Sequence, residues 1–134
     1  MGRRIQLGAL PPLPPEEEAG YQKGLATEDI FFEAAGRINR GHQKPLYLTW
    51  IDRASPIQDY FGGIDAVAHT DAGRLYIQIK SSEGESQKFL RKLRQGMYGN
   101  RPFLIITIHE GVDVEDVIDA LLDGLDRLYR MVSQ

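Results

Sequence analysis

The chain has 134 residues, 42% hydrophobic and 26% charged, which suits one globular domain with a sizeable core. It contains no cysteine, which excludes a disulfide framework and any thiolate chemistry or thiolate metal site, and fits a reducing cytoplasm. A net charge of −3 and a pI near 5.6 argue against a strongly basic nucleic-acid binder, so any such binding must use a local patch.

Residues 1–22 differ from the rest. Pro11 to Pro15 favours polyproline II, and Glu16 to Glu18 follow, so an extended Pro/Glu-rich arm is expected before a single domain at 23–134. Arg3 and Arg4 are followed by a proline-interrupted stretch that does not read as a signal peptide. No apolar run approaches the roughly 18 residues that a membrane span needs.

A first helix is expected from Glu28 to Arg40, with Thr27 as N-cap and Gly41 as the stop. Ile30, Phe31, Ala34, Ala35 and Ile38 form its apolar face. Glu28 falls about 80° from the centre of that face and Glu33 about 140° away, so Glu28 sits at the edge and Glu33 faces solvent. Leu46 to Ile51 reads as a strand, and 52–62 as a loop holding Gln58 and Asp59. Asp59 suits the turn backbone better than an extra ligand role.

Strands at about 64–70 and 74–80 flank Asp71-Ala72-Gly73, a hairpin signal. Residues two apart in a strand share a face, so Gln78 and Lys80 point one way and Ile77 and Ile79 the other. Asp65, opening the first strand, can approach the end of the second. An acid, an amide oxygen and an ammonium then surround one point.

After a polar connection at 81–86, a helix is expected from Ser86 to Met97. Phe89, Leu90, Leu93 and Met97 are its apolar face; Lys88, Arg91, Lys92 and Gln95 lie opposite. That basic stripe suits either a phosphate backbone or ordinary solvent. Phe103 to His109 is a nearly continuous apolar run that suits a strand buried on both faces. His42, His69 and His109 lack a partnered metal motif and read as structural.

The last helix is expected from Val114 to Val132 with Asp113 as N-cap. Val114, Ile118, Leu121, Leu125, Leu128 and Val132 form a heptad-like seam, widened by Val117, Leu122 and Tyr129. Such a helix packs on the sheet, and its breadth suggests a homodimer contact as well; plain intrachain core is the alternative.

Gly63-Ile64-Asp65, a hairpin turn, then Gln78-Ile79-Lys80 resembles the PD-(D/E)xK nuclease superfamily in a Gln-x-Lys variant. Ile64 stands where that pattern has proline, and Gln78 where it usually has an acid. The expected element order matches the αβββαβ core of the restriction endonuclease-like fold over residues 23–109, a central mixed sheet flanked by helices, with the C-terminal helix added. The resemblance implies a metal-dependent nuclease that hydrolyses phosphodiester bonds, with DNA the expected substrate and RNA left open. It implies Mg²⁺, or Mn²⁺, held by Asp65, Gln78 and Glu28, with Lys80 completing the catalytic set and Lys88, Arg91 and Lys92 meeting nucleic acid. The alternative is a catalytically inactive member serving as a binding or assembly module.

Overall fold

The computed structural model describes residues 15–56 and 63–134, with side chains described from residue 26. Most of the expected arm, with Gln58 and Asp59, lies outside the described residues. Among those described, the order is α1 (Pro15–Asn39), β1 (Leu48–Arg53), β2 (Ala66–Thr70), β3 (Gly73–Lys80), α2 (Glu83–Arg94), β4 (Phe103–Thr107) and α3 (Val114–Val132). The strands form one mixed α/β sheet in the order β1-β2-β3-β4. β1, β2 and β3 are antiparallel neighbours, and β3 runs parallel to β4, with α2 as the crossover.

Helix α1 begins at Pro15 rather than Glu28, so Thr27 is interior and not a cap, and residues 15–22 are helical rather than an extended arm. Proline is tolerated at a first helical position because its missing N–H has no intrahelical acceptor there. The end falls as expected: Gly41 adopts a positive φ of 110°. Its N–H donates to Ile38 O at 2.9 Å, and His42 N–H donates to Arg37 O at 3.1 Å.

Strand β1 lies two residues later than the apolar run suggests. A turn closed by Leu48 N–H on Pro45 O precedes it, and Leu46 is left fully exposed. A register shift between Leu48 and Trp50 breaks the period of two. Leu48 and Ile51, three apart, therefore both point into the core. Asn39 finishes the outer edge there, accepting from Ile51 N–H at 2.7 Å and donating to Ile51 O at 2.9 Å.

Phe31, Ala34, Ala35 and Ile38 of α1 join Val117, Ile118, Leu121 and Leu125 of α3 over one sheet face, carried by Ala66, Ala68, Leu75, Ile77, Ile79 and Ile106. The seam of α3 is thus spent on intrachain core; Met131 and Val132 at its end are exposed. Asp113 caps this helix as expected, accepting from Glu115 N–H.

The other face belongs to α2. Ser82 caps it, accepting from Glu85 N–H at 3.2 Å, so the helix starts three residues before Ser86 and Gly84 is helical. Phe89 packs edge-on to Phe103, and Ser86 is buried with its Oγ 2.6 Å from Thr107 Oγ1. Met97 lies past the helix end and is 61% exposed. Strand β4 is not buried on both faces: it is an edge strand, and within it only Ile106 is fully buried. No helix among the described residues is long and apolar enough to cross a membrane.

Candidate functional site

The hairpin register places Ala66 opposite Ile77. Just beyond that pair, at Asp65, a side chain joins the backbone bonding. Asp65 N–H donates to Ile77 O at 2.9 Å, and its Oδ2 accepts from Ile79 N–H at 2.7 Å. The carboxylate thereby fixes the junction of β2 and β3 at the point where β3 presents Gln78 and Lys80.

Alternation on β3 does what the sequence implies. Ile77 and Ile79 enter the core, while Gln78 and Lys80 face α2. Gln78 is not an exposed strand residue; it is only 7% accessible. Its Oε1 is fully buried and has no hydrogen-bond partner among the described residues. A buried amide oxygen without a donor costs about 1–3 kcal/mol. Lys80 is half-buried, with its ammonium 5.5 Å from the centre of the Phe89 ring.

Glu28, Asp65, Gln78 and Lys80 line one cavity of about 450 Å³, with Thr27, Ile79, Ser81 and Glu85. The elements that deliver them are α1, the start of β2, the end of β3 and the start of α2. Glu28 is oriented by Arg53 of β1, 3.5 Å away, whose guanidinium lies 3.9 Å from the centre of the Phe32 ring. Glu33 is engaged elsewhere: Arg37 holds it at 2.7 Å and reaches Glu115 of α3 at 3.4 Å. Of the two candidate acids on α1, Glu28 is the one at the cavity.

A second cavity of about 220 Å³ adjoins the first, and Gln78, Lys80 and Glu85 line both. Its remaining walls are Gly63, Lys88, Phe89, Lys92 and Tyr98. Gly63 has a φ of 62°, and a Cβ there would stand 3.0 Å from both Phe89 Cε1 and Tyr98 Cε1. A side chain there would strain the backbone and press on both rings, which favours glycine. The basic stripe of α2 is therefore divided. Lys88 and Lys92, one turn apart, wall the cavity beside Phe89, whereas Arg91 lines neither cavity.

Glu85 and Tyr98 escaped the sequence reading. Placing Glu85 in a connecting loop hid its role. Ser82 followed three residues later by Glu85 is a capping-box signal that could have moved the helix start and brought Glu85 to the site. Nothing comparable in the sequence marks Tyr98.

Among the described residues, no group of three or more His, Cys, Asp or Glu side chains is arranged to hold a metal ion. Two carboxylates and an amide oxygen are nonetheless hard oxygen donors of the kind Mg²⁺ takes. The orphaned Gln78 Oε1 is consistent with a ligand completing this corner. No family model, curated protein or solved structure matches the chain.

Proposed function

We propose that the chain is a metal-dependent nuclease of the PD-(D/E)xK kind, with a restriction endonuclease-like core, that hydrolyses phosphodiester bonds in DNA, RNA being the second substrate to test. The observation that carries this reading is the buried amide oxygen of Gln78, without a hydrogen-bond partner among the described residues, at a cavity shared with Glu28, Asp65 and Lys80. Glu28, Asp65 and Gln78 would hold Mg²⁺ or Mn²⁺. When bound, such an ion supplies positive charge against the phosphoryl oxygens.

The protein's own groups do the rest. Asp65 is fixed through Ile79 N–H, so it meets an incoming cation with little reorganisation. Lys80, half-buried beside Phe89, presents its ammonium where negative charge grows on the phosphate and orients the attacking water. Gln78 adds an oxygen without a charge, leaving Glu28 and Asp65 to balance the cation.

Calorimetric titration of Mg²⁺ and Mn²⁺ into wild type and Asp65→Asn, followed by a cleavage assay on a DNA and RNA panel, tests this reading. Saturable binding lost in the variant, with metal-dependent cleavage that Lys80→Met abolishes, is expected. Absence of both binding and cleavage would end it.

A second reading keeps the fold without catalysis, as a cytoplasmic binding or assembly module. The neutral Gln78 and the acidic net charge favour it. The exposed Met131 and Val132 would be the natural start of a homodimer contact through α3.

A further inference from the structure

The two adjoining cavities differ in charge. Glu28 and Asp65 belong only to the first, and Lys88 and Lys92 only to the second. Lys80 and Glu85 stand at the boundary. The second cavity thus carries three ammonium groups against one carboxylate, in a protein whose net charge is −3. Such a local reversal of sign is what an anion would find on an otherwise repelling surface.

We propose that the second cavity is a subsite for a single phosphate of a polynucleotide strand, next to the phosphate presented to Asp65 and Lys80. Lys88 and Lys92 are one helical turn apart, so their stems lie about 5–6 Å from each other and can close on one anion. Lysine acts on phosphate as a point charge and needs no planar bidentate geometry. Phe89 and Tyr98, stacked at 4.9 Å, form the apolar wall of the cavity. Glu85 lies 3.6 Å from Lys88 and occupies that ammonium until an anion replaces it. The identity of the strand rests on the nuclease reading; the anion subsite does not.

The test measures binding apart from cleavage. A labelled oligonucleotide, single-stranded and then duplex, is titrated in EDTA at about 50 to 200 mM salt, the range over which phosphate contacts are lost. The proteins are wild type, Lys88→Ala, Lys92→Ala, Arg91→Ala and Glu85→Gln. The altered side chains are exposed, so circular dichroism should be unchanged. Each lysine removed should flatten the log–log salt dependence by about 0.7–0.9. Arg91→Ala should keep the wild-type slope, and Glu85→Gln should bind more tightly. Equal weakening by Arg91→Ala would replace the subsite with a general basic helix and overturn the proposal, as would no binding by wild type. Inorganic phosphate or a mononucleotide binding as tightly as the oligonucleotide would overturn the assignment to a strand. Lysine-dependent binding without cleavage in Mg²⁺ would retire the nuclease reading and keep the subsite; cleavage with lysine-independent binding would do the reverse.

Discussion

Asp65 and Ile79 are joined across the hairpin, carboxylate Oδ2 to backbone N–H at 2.7 Å, just past the last register pair of β2 and β3. The residue proposed to hold the cation is therefore also a structural clamp. Asp65→Ala confounds the two roles, because it strips an acceptor from a half-buried N–H, at about 1–3 kcal/mol. Asp65→Asn keeps one acceptor oxygen in a side chain of similar shape and removes the charge. Urea unfolding should find the Asn variant close to wild type and the Ala variant less stable by that amount, while calorimetry finds cation binding lost in both. If Asn is as destabilising as Ala, the negative charge itself holds the hairpin.

Gln78 offers the complementary test. Its Oε1 accepts no hydrogen bond from the described residues around it. Gln78→Met, similar in length but without that oxygen, should cost little stability and abolish saturable Mg²⁺ binding. Gln78→Glu should lower the melting temperature in EDTA, because a buried carboxylate is poorly solvated. Added Mg²⁺ should then recover it by mass action, by about 2.7 kcal/mol at a hundredfold excess over Kd. A melting temperature of the Glu variant that ignores Mg²⁺ would count against the cation site.

The hairpin, the facing of Gln78 and Lys80 and the whole of α3 were legible because each depends on local signals: a turn dipeptide, a period of two, a capped amphipathic run. What failed depends on information the local pattern lacks. The shift between Leu48 and Trp50 broke strand alternation, so β1 was placed two residues early. Position in the sheet is a tertiary fact, so the apolar run Phe103 to His109 gave no sign that β4 would be an edge strand. Of the acids of the first cavity, Glu28 and Asp65 were readable from spacing, whereas Glu85 was hidden by a misplaced helix start. Tyr98 was not, because it reaches the second cavity from a turn after α2 rather than from a periodic element.

Gly124 fixes how closely α3 approaches β4. It is buried, and a Cβ there would stand 2.6 Å from Leu104 Cδ1 and 3.1 Å from Cδ2. Gly124→Ala gains about 1 kcal/mol of helix propensity but forces Leu104 aside in a packed layer, at about 1–3 kcal/mol. The expected sum is a modest loss of stability. In the Leu104→Ala background the clash disappears, so Gly124→Ala should become neutral or stabilising. A double-mutant cycle by urea unfolding reads the coupling, and simple additivity would show that the contact does not restrict the helix.

Two tyrosines tie α3 to the sheet ends and give the protein an alkaline limit. Tyr47 and Tyr129 stack 3.9 Å apart; Tyr47 donates to Asp126, and Tyr129 to Asp71 in the hairpin turn. Burial first, then the hydrogen bond to Asp126, pushes the Tyr47 hydroxyl well above its ordinary value. The bond to Asp71 leads the upward shift of Tyr129. An acid whose folded pKa is raised keeps its proton when the unfolded chain has lost it. Its contribution is fully present below the unfolded tyrosine value of about 10 and falls as pH rises above it. Urea unfolding between about pH 8 and pH 11.5 should therefore show stability that is level at first and then declines beyond about pH 10. Tyr47→Phe should be less stable at pH 8, through loss of the Asp126 bond, and should decline less steeply above pH 10. An unchanged alkaline slope in that variant would mean that Tyr47 titrates alike in the folded and unfolded chain.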